Sequence, residues 1–165
     1  MTVPDAPAPH PCHPPSLRLA LYEPEIAGNV GTVLRLAACL DVPVDLIEPM
    51  GFPFSDRALA RSGMDYLRHV TMARHADWAS FKAQVPGRIV LLTTKAATRL
   101  DQAQFLPGDT LLCGSESSGV PEHVHAAVDL RITIPLVPGR RSLNVALAAA
   151  IALSEALRQT DQWPA

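Results

Sequence analysis

Three short polar segments carry the residue types that could bind a polar ligand and act on it. They are AGNVGTVLR at 27–35, GSESSG at 114–119 and IPLVPGRRSLNVA at 134–146. Their glycines can expose backbone amides, and amides and guanidinium groups bind phosphate or hydroxyl oxygens. A carboxylate set between small residues can orient an amine or a neighbouring subunit's arginine. The candidate groups are Asn29, Arg35, Glu116, Arg140, Arg141, Ser142 and Asn144.

Each of these groups also has a purely structural interpretation. Arg35 could be an exposed helix arginine that pairs with a carboxylate, and GSESSG could be a solvated turn. Ser142 could serve as the N-cap of the helix that follows, with Asn144 in its first turn. The residues alone leave these alternatives open, and the three segments together predict a site for a neutral or anionic polar ligand.

Familiar cofactor and metal signatures are absent from the sequence, which contains no GxGxxG, GxxxxGK[ST], HExxH or GxSxG motif. His10, Cys12 and His13 stand in a proline-rich segment, where we expect them to be incidental. His123 and His125 lie two apart on a short predicted helix and would point about 200° apart, so they cannot chelate one metal ion together. We predict both histidines at the surface and no metal site.

The composition fits one compact domain. The chain has 165 residues, 48% hydrophobic and 18% charged, and this apolar content favours an additional buried surface such as a subunit interface. A net charge of −2 means that a nucleic-acid partner would need local basic patches. Three cysteines without CxxC spacing fit a reducing compartment. Neither a membrane-spanning pattern nor a signal peptide is present, so a soluble cytoplasmic protein is expected.

The elements that must position the candidate groups alternate along the chain. Prolines predict a disordered leader at 1–16, and the folded domain is expected at 17–160. Strands are predicted within LRLALYEP (17–24), VPVDLIEP (42–49), RIVLLTT (88–94), DTLLCG (109–114) and LRITIPL (130–136). Helices are predicted within NVGTVLRLAACL (29–40), SDRALARSG (55–63), ADWASFKAQ (76–84), PEHVHAAV (121–128) and SLNVALAAAIALSEALRQ (142–159).

The helix boundaries and faces follow from particular residues. Asn29 and Ser55 are predicted N-caps, Gly63 is a stop, and Pro121 lies in a first turn. The last helix is apolar around most of its circumference, so it should be buried on more than one side.

Strands that alternate with helices predict an α/β fold, a mostly parallel sheet covered by helices on both faces. Ligands of such sheets bind at the carboxyl ends of the strands. The loops expected there are 23–29, 114–119 and 135–144. The three polar segments should therefore meet at one edge of the sheet.

The order and spacing of these segments resemble the SPOUT superfamily of RNA methyltransferases, and within it the SpoU-type 2′-O-ribose methyltransferases. The first family motif, an asparagine and an arginine on a helix, matches Asn29 and Arg35. The second, G-x-E-x-x-G-x-P, matches 114–121, and the third, I-P-[ML] followed by S-[LM]-N, matches 134–144. A single motif would mean little, whereas three in sequence over 17–159 are specific.

Four further segments are similar to the small single-domain tRNA (cytidine/uridine-34 2′-O)-methyltransferases, which modify the wobble nucleotide of certain leucine tRNAs. They are LYEPEIAGNVG, IEPMGF, SGMDY and LTTK. The resemblance implies a C-terminal trefoil knot, a homodimer with its sites near the subunit interface, and binding of the tRNA anticodon stem-loop. The alternatives are a SpoU-type enzyme acting on a different tRNA or rRNA site, and a catalytically inactive SPOUT RNA-binding protein.

The resemblance also implies S-adenosyl-L-methionine (SAM) as methyl donor, without a metal. Its binding residues would be Leu92, Thr93, Gly114, Ile134, Leu136 and Ser142. The catalytic residues would be Arg35, Glu116, Ser142 and Asn144, and the RNA-binding residues Asn29, Arg140 and Arg141. Because a guanidinium keeps its proton at neutral pH, we expect Arg35 to bind the hydroxyl or a phosphate and to stabilise developing negative charge. The general base is left open.

Ser118 departs from the family pattern, since the second motif often carries a basic residue just before its second glycine. An RNA surface would then depend on arginines elsewhere, drawn from one or both subunits, or these arginines are solvated helix residues. The candidates are Arg57, Arg61, Arg68, Arg74, Arg140 and Arg141.

Overall fold

The computed structural model describes residues 15–55 and 69–165. Its strands are β1 (Arg18–Tyr22), β2 (Val44–Ile47), β3 (Met72–His75), β4 (Ile89–Leu92), β5 (Thr98–Arg99), β6 (Thr110–Cys113) and β7 (Leu130–Thr133). Its helices are α1 (Ala27–Leu40), α2 (Trp78–Gln84), α3 (Glu122–Ala127) and α4 (Val145–Thr160), with a 3-10 turn at Leu100–Gln102.

The strands form a single sheet in the order β3-β2-β1-β6-β4-β7-β5. Every neighbouring pair runs parallel; Leu19 of β1, for example, pairs with Val44 on one side and Leu111 on the other. Parallel neighbours need crossover connections, and α1, for example, supplies the one between β1 and β2. The prediction of a mostly parallel α/β sheet is confirmed.

Helices cover both faces of the sheet because alternate strand residues point to opposite sides. In β1, Leu19 and Leu21 belong to a core cluster with residues of α1 and α4. Ala20 and Tyr22 belong to a second cluster with Phe81 of α2 and Val124 of α3. The site is therefore built on a sheet whose strands are held from both sides.

The predicted N-caps were wrong at both ends of the polar network described below. Helix α1 begins at Ala27 with Ile26 as N-cap, so Asn29 lies in the first turn with its side chain available for other contacts. Helix α4 begins one residue after Asn144, whose side chain accepts from the Ala146 N–H at 2.9 Å, so Asn144 is the N-cap and Ser142 is not. Serine and asparagine are both favourable N-cap residues. The hydrogen bond from Asn144 to Asn29 favours Asn144 as the cap.

Pro121, expected in the first turn of α3, is instead its N-cap. Helix α4 also differs from prediction, because only one side of it is buried in the single chain. Alanines such as Ala149 and Ala152 form the inner face, while Leu147 and Ile151 are 57% and 42% exposed. Leu153 and Leu157 lie on the same buried face, so the helix packs one apolar face against the domain and leaves Leu147 and Ile151 outside.

Two strands were not predicted, β3 and β5. Both are edge strands and short, and β3 has the sequence MARH, whose polar residues hide its strand character. His75 is buried, and its Nε2 lies 2.8 Å from Oδ1 of buried Asp45. The local sequence does not indicate this contact. The helix predicted at 55–63 and most of the leader lie outside the described residues.

The trefoil knot stays a prediction, as do the domain boundaries. Within 15–55 and 69–165, no helix combines the length and apolar character needed to cross a membrane.

Candidate active site

A cavity of about 710 Å³ opens at the carboxyl ends of β4, β6 and β7, beside the start of α4. This is the edge of the sheet at which the sequence predicted a ligand. Most of the predicted site residues line it. They are Asn29, Leu92, Thr93, Gly114, Glu116, Ile134, Leu136, Arg141, Ser142 and Asn144.

The wall formed by 114–119 is a closed turn. The Ser115 N–H donates to the Gly119 carbonyl and the Gly119 N–H to the Ser115 carbonyl, both at 2.9 Å. A Cβ on Gly114 would stand 2.6 Å from the Gly119 carbonyl carbon, and Gly119 has a φ of +71°. The turn therefore requires glycine at both ends, at one for close approach and at the other for its backbone conformation.

Ser118 has a structural role within this turn. Its hydroxyl lies 2.9 Å from the Ser115 hydroxyl, which also donates to the Gly119 carbonyl. The serine at this position therefore takes part in hydrogen bonds that close the turn internally.

A chain of hydrogen bonds joins the three polar segments. Asn144 Nδ2 donates to Asn29 Oδ1 at 2.9 Å, and Asn29 Nδ2 donates to Glu116 Oε1 at 3.0 Å. Glu116 Oε2 accepts from the Glu25 N–H at 2.8 Å. We call Glu116, Asn29 and Asn144 the polar relay. It brings together residues that are up to 115 positions apart in the sequence.

The direction of the relay follows from its ends. Asn144 Oδ1 accepts from a backbone N–H of α4, so its Nδ2 must face Asn29. Asn29 then offers Oδ1 to Asn144 and Nδ2 to Glu116. Both Glu116 oxygens act as hydrogen-bond acceptors.

Arg35 and Arg140 are not among the residues that line the cavity. Arg35 lies six residues after Asn29 on α1, about 9 Å along the helix axis, and is exposed. Arg140 is exposed in the turn before α4. The residue that follows it, Arg141, lines the cavity.

Sequence reasoning missed several cavity residues, of which His125 is the clearest. We predicted it at the surface, but it is only 7% exposed and lines the cavity. The prediction was wrong because α3 packs against the sheet on the side that carries His125, whereas His123 faces solvent. Cys113, also a lining residue, is fully buried, and burial raises the pKa of its thiol to about 12.

The basic surface predicted for RNA is only partly described. Arg57, Arg61 and Arg68 lie outside the described residues. Arg74 bonds to Glu48 through its Nε at 2.8 Å, and its guanidinium lies 4.7 Å from the Phe54 ring centre. In the described part of the chain, no group of three His, Cys, Asp or Glu side chains could hold a metal ion.

The fold and the site define an α/β protein with a ligand cavity formed by three motif loops at the strand ends, and comparison with families identifies its class. The chain belongs to the SpoU rRNA Methylase family, whose model matches residues 16–154. The family predicted from the three motifs is confirmed.

Two relatives and one solved structure show which members of the family this chain is similar to. The chain is 55% identical over 144 residues to a tRNA (cytidine(34)-2'-O)-methyltransferase of Beijerinckia indica subsp. indica, covering 86% of this chain and 90% of the relative. It is 38% identical over 146 residues to the enzyme of that name from Escherichia coli K12, covering 87% and 93%. A solved structure described as "Structural insights into the 2-OH methylation of C/U34 on tRNA" superposes with a TM-score of 0.83 at 42% identity, covering 88% and 97%.

Proposed function

We propose that this chain is a SAM-dependent methyltransferase that modifies the ribose 2′-hydroxyl of nucleotide 34 of tRNA. The observation that carries the proposal is that all three motif loops meet at one cavity and are joined by the polar relay. The relatives named for cytidine-34 methylation support the position on the tRNA.

The residues at the cavity fit SAM in size and chemistry. About 710 Å³ lies within the range of small-molecule sites, and apolar side chains such as Leu92, Ile134 and Leu136 alternate with backbone and hydroxyl groups. Because Gly114 packs against the backbone of Gly119, the wall there is main chain. We assign SAM binding to Leu92, Thr93, Gly114, Ile134, Leu136 and Ser142. When bound, SAM supplies an activated methyl group.

The catalytic assignment rests on which groups the relay holds in place. Glu116, Asn144 and Ser142 lie at the cavity wall, where they orient the ribose and its leaving proton. Arg35 acts from outside the cavity, on the 2′-hydroxyl or an adjacent phosphate, and stabilises negative charge on the oxygen as its O–H bond breaks.

RNA contacts are assigned to Asn29 and Arg141, which line the cavity, and to Arg140, the exposed residue just before Arg141. The substrate region is the anticodon stem-loop, with leucine isoacceptors as the specific tRNAs, and the enzyme works in the cytoplasm. Exposed arginines before α4 supply the local positive charge that an overall net charge of −2 does not.

A homodimer accounts for the exposed apolar residues near the relay. Ile26 precedes α1 and is 51% exposed, and Leu147 and Ile151 lie one turn apart on α4. The relay bond between Asn29 and Asn144 joins the starts of the two helices, and Ile26 also lines the cavity. A Leu147→Asp variant should sediment as a monomer at concentrations where the wild type is a dimer, and a dimeric variant would rule out this face.

Methyl transfer to tRNA tests the function directly. The protein is incubated with labelled SAM and unmodified tRNA transcripts, including leucine isoacceptors, and the modified nucleotide is mapped. A mark on nucleotide 34 is expected. A mark elsewhere would indicate a SpoU-type enzyme with another site, and no transfer to any RNA would indicate an inactive RNA-binding protein.

The Arg35→Ala variant tests the role of the arginine. We expect turnover to fall by roughly 100- to 1,000-fold, the range for loss of an oxyanion-stabilising group, while the SAM Kd is unchanged. Arg158→Ala is the matched control, because Arg158 is an exposed arginine paired with Glu155 in the last turns of α4. Equal losses of SAM affinity and turnover in Arg35→Ala would mean that the arginine only shapes the site.

A further inference from the structure

Glu25, which precedes the first motif within LYEPEIAGNVG, contacts the 114–119 turn through three hydrogen bonds. Its Oε2 accepts from the Ser117 N–H at 2.8 Å, and its Oε1 accepts from the Ser117 hydroxyl at 2.6 Å. Hydrogen bonds to a carboxylate are stronger than those between neutral groups. Two such bonds to Ser117 fix both the position and the orientation of that residue.

The contact between the two segments is reciprocal. Glu116, beside Ser117, accepts the backbone N–H of Glu25 at 2.8 Å, so each segment supplies a carboxylate to a backbone amide of the other. The tip of the turn is therefore held on both sides of the Glu116–Ser117 peptide bond. Glu116 contacts Glu25 through one carboxylate oxygen and Asn29 through the other.

The chain after β2 supports Glu25 from behind. The Gly51 N–H donates to the Pro24 carbonyl at 2.9 Å. A Cβ on Gly51 would stand 2.9 Å from the Glu25 Cα, so only glycine allows the two backbones to approach this closely. The position of Glu25 is thus fixed by the main chain of a third segment.

We infer that Glu25 is a positioning residue for methyl transfer, which holds the 114–119 turn so that Glu116 and the rest of the polar relay stand correctly at the cavity mouth. The inference rests on the proposed function, because it concerns the geometry of that reaction. Glu25 is exposed and is absent from the cavity lining, so it acts through Ser117 and Glu116.

The Glu25→Ala variant tests the inference by kinetics. A displacement of about 1 Å in a reacting site can cost roughly 100-fold in rate, so we expect kcat to fall by roughly that factor. Leu92, Ile134 and Leu136 remain in place, so the SAM Kd from calorimetry should change by less than roughly threefold, under 1 kcal/mol. Glu25→Gln should recover most of kcat, since its amide can accept from the Ser117 N–H and donate to the Ser117 hydroxyl.

Two further variants separate positioning from a general loss of structure. Gly51→Ala leaves the Glu25 side chain intact but displaces its backbone, and it should reproduce the kcat defect. Glu122→Ala removes an exposed glutamate just after the same loop and should retain wild-type kcat. Wild-type kcat in Glu25→Ala would overturn the inference. So would a Glu25→Gln variant whose kcat is as low as that of Glu25→Ala.

Hydrogen exchange of the full-length protein without RNA tests the attachment independently of catalysis. The Ser117 amide is held by Glu25, so exchange across 114–119 should quicken in Glu25→Ala and stay slow in Glu122→Ala. Unchanged exchange would refute the attachment even if the enzyme methylates nucleotide 34. A wild-type protein that does not methylate this nucleotide would instead refute the proposed function, and the exchange rates would still decide whether Glu25 holds the turn.

Discussion

Replacing Asn144 separates two roles that the structure assigns to one side chain. Its Oδ1 caps α4 through the Ala146 and Leu147 amides, at 2.9 and 3.4 Å, and its Nδ2 links α4 to Asn29 at 2.9 Å. Asn144→Ala removes both roles. Asn144→Ser keeps a capping hydroxyl but is too short to reach Asn29.

The expected magnitudes follow from these bonds. Loss of the cap costs about 1 kcal/mol, and loss of the link about 0.5–1 kcal/mol. Asn144→Ala should therefore destabilise the fold by about 1.5–2 kcal/mol and Asn144→Ser by about half as much. For a domain of this size the melting temperature falls by about 2–4 °C per kcal/mol, which gives about 3–8 °C for the alanine variant.

Thermal unfolding and methyl transfer measured on the same samples make the test. The two variants should differ in stability but lose activity to a similar extent, because both break the relay. Ser142→Ala is the stability control, since the structure shows that Ser142 is not the cap, and its stability should stay within about 0.5 kcal/mol of the wild type. Equal destabilisation by the alanine and serine variants, or full activity of Asn144→Ser, would refute the reasoning.

Three further outcomes are expected. Gly114→Ala should weaken SAM binding by at least roughly tenfold by calorimetry, because its Cβ meets the Gly119 backbone at 2.6–2.9 Å, whereas Gly28→Ala, with nothing within 4 Å, should bind normally. Hydrogen bonds from Arg158 and Gln159 lower the pKa of Glu155 from 4.5 to about 2, so its stabilising effect is present above pH 4.5 and is lost as pH falls through 2. Glu155→Gln should then melt below the wild type at pH 7, and the gap should close near pH 2; a constant gap would contradict this assignment. In native protein at pH 8, iodoacetamide should alkylate exposed Cys39 and spare buried Cys113, as peptide mass spectrometry can check, and early labelling of Cys113 would argue against its burial.

The parts of the fold that repeat an apolar pattern could be predicted from sequence. Val30, Val33, Leu34 and Ala37 recur at the spacing of one helix face and are buried together on α1, and the β4, β6 and β7 strands fall inside the predicted apolar runs. The cavity also lies where the motif loops were expected. These features follow from periodicity and from the geometry of parallel sheets, which local sequence encodes.

The remaining features depend on contacts between distant segments. Asn29 is a good N-cap by type, yet its partners Glu116 and Asn144 lie 87 and 115 positions away. Glu25 carries no local signal for its bonds to Ser117, and His125 is buried by the packing of a six-residue helix. A residue's propensity shows which structural roles it can take, such as an N-cap or a partner in a distant hydrogen bond. The contacts in the folded protein determine which of these roles it has.

The long reach of the polar relay couples ligand binding to folding. Because its bonds close loops of 87 to 115 residues, no isolated piece of the chain can assemble the cavity mouth, and the site comes into existence only with the complete sheet. A ligand that binds only this state adds its binding free energy to the stability of the whole domain, about 2.7 kcal/mol at one hundred times its Kd. For this small protein, the cellular concentration of the methyl donor is then also a determinant of how much of the chain stays folded.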